Sequence, residues 1–351
     1  MLVLKQKIAA VLADPLAASR AADRPVGYVG FDMPLDIMYA TERSFFHLPW
    51  QAGRATPEAD KWLESSFPGW AFSLLEDWIN GVFDHFDSVV FTRSDDAAQR
   101  LYYYLCEMQR RGIVSGPTPR ILDAALIPRE SSVRHCMHAI SNLMTELEMD
   151  ADSLEGGITR ANNYRTVYGR LEQFRAGPGH LFENIARASL FCDLYPQLQD
   201  LQFPVQSNTR RVVLTGSAPP DDRMHITVEA SGWTIGADTH QRSLLRHGPP
   251  LECLPENALN AVAKRLNSSA YALRSFSSQT SRMMAEASRI EASAVVLWVT
   301  AEDEALAWHI AQQRLALEAA EIPALILTHQ RWGGQEESLD SITQFFRELD
   351  A

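Results

Sequence analysis

Three short polar stretches follow runs of β-branched and aromatic residues, and each is placed to meet a ligand. Asp32 and Asp36 follow PVGYVGF (25–31), Ser94 and Asp95 follow FDSVVFT (86–92), and Gly216 and Ser217 end RVVLTGS (211–217). In open parallel sheets, ligands bind in the crevice beyond the carboxyl ends of the strands. All six residues fall at such ends, so together they form the candidate substrate-binding set. Carboxylates there accept hydrogen bonds or hold protons. The Gly216 and Ser217 backbone amides suit a phosphate or a thioester carbonyl. Ser94 precedes a helical pattern, where it serves as an N-cap. No glycine follows Ser217 at the spacing of a nucleophile elbow, and no triad partner is evident. A Walker A loop and a GxGxxG are both missing, so ATP or NAD binding in those modes is not expected. No residue is assigned a catalytic role.

Metal-binding residue types lack a pattern. His135 and His138 in RHCMH (134–138) share a helix face, but no third ligand stands near them. His240, after Asp238 and Thr239 at a strand end, reads as a solvated loop histidine. The four cysteines, Cys106, Cys136, Cys192 and Cys253, form no CxxC pair. They read as reduced thiols packed as small hydrophobes. The chain is expected to hold no metal and no cofactor of its own.

The elements that must position these residues read as α/β, with two Rossmann-like lobes of parallel sheet and a helical insert between them. A helix covers the first ~20 residues. Strands at 25–31 and 86–92 flank a helical stretch that starts at Thr56–Pro57, with Trp62, Phe67, Trp70, Leu74 and Trp78 at helical spacing and Pro68 as a kink or restart. A helix from 95 to 111 carries Asp95 and Asp96 in its first turn and Arg110 and Arg111 in its last. Residues 131–201 are helical throughout, with a break at Pro178–Gly179 and an end at Pro204. A second α/β unit follows, with strands at 211–217, 231–237, 293–300 and 324–328 and helices at 304–320 and 338–349. The predicted division is an N-terminal helix (1–24), a first lobe (25–125), a helical block (126–205) and a second lobe (206–351). The two lobes look like weak repeats of each other.

The 351 residues suffice for about two domains and a substantial core. Apolar residues make up 46% and charged ones 22%, which fits a globular chain. The net charge of −12 argues against nucleic acid or an anionic membrane as partner, while leaving room for a local basic pocket. Lys5, Gln6 and Lys7 interrupt the apolar N-terminus, so no secretory signal is expected, and a cytoplasmic location follows.

The order and spacing of several landmarks resemble the 2-hydroxyacyl-CoA dehydratase / benzoyl-CoA reductase family, in its activator-dependent dehydratase subunits. GFDMPLD (30–36) with Ala40 is similar to the family's early strand and loop. FDSVVFTRSD (86–95) with Arg100 and Leu101, the helical set Gly157, Ile158, Asn162 and Arg165, RVVLTGS (211–217) and EIPAL (321–325) follow in the family's order. The resemblance implies two Rossmann-like lobes with a helical insert, a dimer of related subunits, and a [4Fe–4S] cluster held by three cysteines. It also implies an ATP-hydrolysing activator that injects one electron to form a ketyl-type radical on an acyl-CoA.

The chain departs from that pattern at the cluster. The family's cysteines are expected within about 64–71, at 94 before Asp95, and after the strand ending near Thr300; none of these places holds one. Iron in such clusters needs thiolates. The expected function is therefore a cluster-deficient subunit that pairs with a cluster-bearing homologue, or with a second copy of itself, and contributes to an acyl-CoA pocket. A [4Fe–4S] cluster would then sit on the partner. Two alternatives are a stand-alone homodimeric enzyme acting on a CoA thioester without radical chemistry, and a non-catalytic assembly protein.

Overall fold

A computed structural model describes residues 1–93, 95–173, 179–201, 210–252, 257–269, 278–333 and 335–351. Ser94, Pro178, Pro204 and Cys253 lie outside the described residues. Two four-stranded parallel sheets organise the chain. The first contains β1 (Val26–Val29), β2 (Phe45–His47), β3 (Ser88–Thr92) and β4 (Thr118–Leu122), in the order β2-β1-β3-β4. The second contains β5 (Arg211–Gly216), β6 (Thr234–Asp238), β7 (Ala294–Thr300) and β8 (Ala324–Gln330), in the order β6-β5-β7-β8. The same order twice makes the repeat seen in the sequence a repeat of topology.

The longer helices, in chain order, are α1 (Leu2–Ala13), α2 (Gly69–Ile79), α3 (Asp96–Arg110), α4 (Glu130–Glu146), α5 (Leu154–Gln173), α6 (Gly179–Ala188), α7 (Arg223–Ala230), α8 (Ala258–Asn267), α9 (Gln279–Arg289), α10 (Ile310–Ala319) and α11 (Glu336–Asp350). Helices cover both faces of each sheet, so the central strands are buried along their whole length and read as continuous apolar runs. Side-chain alternation still sorts them. Val89 and Phe91 pack toward α2 and α3, and Val90 packs toward α4 and α8. In the second sheet, Leu214, Val296 and Trp298 face α7 and α11, whereas Val213, Val295 and Leu297 face α9. A fifth cluster joins α1, α5 and α6.

Several boundaries differ from the sequence reading for local reasons. The N-terminal helix stops at Ala13, before Pro15, which cannot donate to the helix ladder. No α-helix starts at Thr56–Pro57. The Thr56 hydroxyl donates to Asp60 (2.8 Å), the Glu76 carboxylate accepts from the Glu58 and Ala59 amides, and only a single 3₁₀ turn forms there. The helix begins instead after Pro68. Asp95 is the N-cap of α3, its carboxylate accepting from the Ala97 amide at 2.6 Å. The helix expected at 304–320 is two pieces, a turn at Glu304–Ala307 and then α10. The helix α8, although late in the chain, packs on α4 in the core of the first lobe. Among the described residues no helix is long and apolar enough to cross a membrane.

Candidate functional site between the lobes

Every strand except β4 sends its carboxyl end, or the loop after it, to one cavity of about 80 Å³ between the sheets. The first lobe contributes Phe31 and Asp32 after β1, His47 at the end of β2, and Asp95 before α3. The second contributes Ala218 after β5, Gln241 after β6, Thr300 and Asp303 from β7 and its loop, and Trp332 after β8. Trp50 and Trp332 meet across the lobes with ring centroids 4.7 Å apart, and the Trp332 indole donates to the Ala218 carbonyl (3.2 Å). His47 stacks on Phe31 at 5.2 Å with nearly parallel rings. Burial, reinforced by Arg246 and Arg242, drops the His47 pKa to about 3, so its imidazole is neutral near pH 7.

Four carboxyl groups line the cavity, Asp32, Asp95, Glu302 and Asp303, and burial shifts Asp95 and Asp303. Burial raises Asp95 to about 6, against the Ala97 amide that favours its anion and with Asp303 adding like charge. Burial likewise raises Asp303 to about 6, opposed by hydrogen bonding to Ser217 and Thr300 and reinforced by Glu302. Both therefore exchange protons near neutrality, where acid–base groups are most effective.

The sequence-predicted residues separate into three groups. Asp32 and Asp95 line the cavity. Ser217 stands just behind it, buried, where its hydroxyl accepts from the Thr300 amide (3.0 Å) and supports Asp303. Gly216 is a packing residue. Its φ is +113°, and a Cβ there would lie 2.1 Å from the Trp298 carbonyl oxygen, so only glycine lets β5 approach β7 so closely. Asp36 is not among the residues that line the cavity and pairs with Arg165, both side chains buried. Ser94 lies outside the described residues. Sequence reasoning missed His47, Trp50, Asp303 and Trp332. Of these, Asp303 was the accessible one, since it follows the strongest predicted strand.

A second polar cluster lies behind the ends of β5 and β6. His240 is 3% exposed, not solvated as the sequence suggested. Its Nδ1 contacts Asp238 Oδ1, its Nε2 lies 3.2 Å from Glu183 Oε2, and His225 Nε2 lies 2.8 Å from Asp238 Oδ2. Arg242 donates to Glu183 Oε1 and to the Pro219 carbonyl. Burial would lower His240, but Asp238 and Glu183 outweigh it and hold the imidazole at about 9. Burial would raise Glu183, but Arg242 and His240 bring it down to about 2. These four residues could hold a metal ion. By contrast, His135 and His138 are exposed on α4, and no metal-ligand group among the described residues includes them.

An iron–sulfur cluster does not fit the cavity. Cluster iron needs thiolates, and among the described residues no cysteine lines the space; Cys106, Cys136 and Cys192 are free thiols elsewhere. Burial pushes Cys106 and Cys136 above the usual thiol value and Cys192 up to about 11, as expected of packed thiols rather than ligands. The protein is of the two-lobed parallel α/β class, with its candidate site at the facing strand ends. No protein-family model and no curated protein matches the chain.

Proposed function

We propose that the chain is the cluster-free subunit of a complex of the 2-hydroxyacyl-CoA dehydratase / benzoyl-CoA reductase type, and that its inter-lobe cavity takes the acyl end of a CoA thioester. One observation carries this reading. The three segments in which the resemblance implies cluster cysteines are far apart in the chain, yet Trp70, Asp95, Glu302 and Asp303 from those segments line one cavity. Such convergence is expected if an ancestral cluster site has been refilled by an indole and carboxyls. The size of the cavity suits a compact acyl head rather than a whole cofactor.

The adjoining groove supports an anionic tail. It encloses about 510 Å³, shares Phe31, His47, Trp50 and Trp332 with the cavity, and carries Arg54, Arg187 and Arg242. Arg54 is neutralised by Asp77 at 2.6 Å and Arg242 by Glu183. Arg187 hydrogen-bonds Asn184 (3.2 Å) and forms no direct ion pair among the described residues, with Glu183, Asp221 and Asp222 near enough to act on its charge, so it is the groove's candidate phosphate ligand.

The test is purification of the tagged chain from its native host without oxygen, with iron and labile sulfide assayed on what accompanies it. A stoichiometric iron-bearing homologue is the expected result. An iron-free homodimer, or roughly four irons on the chain alone, overturns the proposal.

The Asp95–Asp303 pair favours a second reading, a chain that catalyses proton transfer on a thioester by itself. It predicts turnover by the isolated chain that Asp303→Asn abolishes; an inactive isolated chain removes it.

A further inference from the structure

We infer that Glu183, His225, Asp238 and His240 form a binding site for one divalent transition-metal ion, with zinc the ion that suits the donors best. One oxygen from each carboxylate and one nitrogen from each imidazole lie within 4.8 Å of one another. A tetrahedral zinc ion with bonds of about 2.0–2.2 Å needs donors roughly 3.3–3.6 Å apart, a contraction within reach of side-chain rotation. Imidazole with carboxylate suits zinc and its neighbours in the first transition row, rather than calcium or magnesium, which want all-oxygen shells.

The burial is what makes the group unusual. The four side chains are at most 3% exposed, and they come from three elements: Glu183 from α6, His225 from α7, and Asp238 and His240 from the end of β6. Buried polar atoms nearly always find hydrogen-bond partners. Here Glu183 Oε2 and His240 Nε2 face each other at 3.2 Å without hydrogen-bond geometry, and His225 Nδ1 also has no partner. His225 Nδ1 thus keeps no hydrogen-bond partner, and Glu183 Oε2 and His240 Nε2 meet only as an ion pair.

The surroundings resemble an outer coordination shell. Arg242 holds the other Glu183 oxygen, and Asp238 Oδ1 contacts His240 Nδ1, which would leave Nε2 as the metallated nitrogen. Two carboxylates offset the two charges of the ion, and both imidazoles can then be neutral. The ion would tie α6 and α7 to β6, with His240 next in sequence to Gln241 of the cavity wall. It would therefore stiffen one side of the inter-lobe site without entering it.

The experiment is to strip the purified full chain with a chelator, incubate it with zinc alone, remove the excess by gel filtration and measure zinc per chain. We expect one zinc per chain, a higher melting temperature with zinc than with chelator, and loss of both in Glu183→Gln/His240→Gln. Because that variant removes buried partners and can fail to fold, the wild-type chain is also loaded with cobalt(II). A visible absorption band of tetrahedral intensity, displaced stoichiometrically by zinc, is expected. Failure of the wild-type chain to retain zinc, a cobalt spectrum no different from the aqueous ion, or undiminished zinc in a folded double variant would each overturn the site and leave a proton-sharing ion network.

Discussion

Asp36 and Arg165, 129 residues apart, form a two-pronged ion pair in which Nη1–Oδ1 is 2.8 Å and Nη2–Oδ2 is 2.5 Å. Both side chains are 2% exposed or less. The pair fastens the turn after β1 to α5, and the remaining guanidinium donors reach the His247 carbonyl and Asn162 Oδ1, both at 3.1 Å. The resemblance singles out both positions and the strand-end rule Asp36 alone; in the structure the two form a buried structural pair. Asp36→Asn leaves a buried guanidinium short of its counter-ion, which costs about 3–5 kcal/mol. Asp36→Leu with Arg165→Met is expected to recover most of that loss in urea unfolding. A single variant within about 0.5 kcal/mol of the parent would mean the pair does not hold the lobe to the helical block.

How much of this was legible in the sequence depended on the kind of signal. The four central strands were readable because strands buried on both faces leave unbroken apolar runs, such as AVVLWVT in β7. The strands β2, three residues long, and β4, which contains Pro119, leave no such run and were missed. Asp32 and Asp95 were found because the strand-end rule needs only local order. The Glu183–His225–Asp238–His240 group was not, since its ligands are spread from residue 183 to residue 240 over three elements. Only Asp238 and His240, two apart at a strand end, left a trace. Period-two alternation sends such residues to one side, and the solvated reading of His240 overlooked it. Thr56–Pro57 failed for the opposite reason: a good local start signal was overridden by the Glu76 carboxylate reaching in from α2.

Gly216→Ala tests the contact that brings the two strand ends together. The added methyl would meet the Trp298 carbonyl at 2.1 Å, a backbone atom that cannot rotate away, and φ of +113° is strained for any L side chain. Separation of β5 from β7 would also loosen Ser217 from the Thr300 amide. A loss of roughly 3 kcal/mol or more is expected from the denaturant midpoint at unchanged m-value. A loss under about 1 kcal/mol would show that the strands can part without cost.

Arg187→Ala separates the head of the proposed ligand from its tail. An arginine–phosphate hydrogen bond contributes about 1.5–3 kcal/mol, so affinity for an acyl-CoA should fall roughly tenfold or more. Affinity for the same acyl group on a truncated thioester without phosphates should stay unchanged. Calorimetric titration of both compounds decides it, and equal losses for the two would place the effect on the cavity rather than on the groove.

The Asp95–Asp303 pair makes a pH prediction of definite sign. Each carboxyl sits at about 6 in the folded chain against an ordinary value of 3.8. Between those limits the folded state holds protons that the unfolded state has released, so raising the pH favours unfolding. Below pH ~4 both states are protonated and the cost vanishes; above pH ~6 it is complete, of order 1–3 kcal/mol per group. Glu183 and Asp238, held below their ordinary values, pull the whole-chain curve the other way, so the difference between parent and variant is the quantity to measure. Asp303→Asn removes one ionising group, and Asp95→Asn does the same while keeping a good N-cap for α3. Each variant should gain stability over the parent as the pH rises from 4 to 7, and the gain should flatten beyond. A gain that is constant with pH would assign the effect to packing. A gain that shrinks with pH would mean that the carboxylates are stabilised as anions by partners in the cavity.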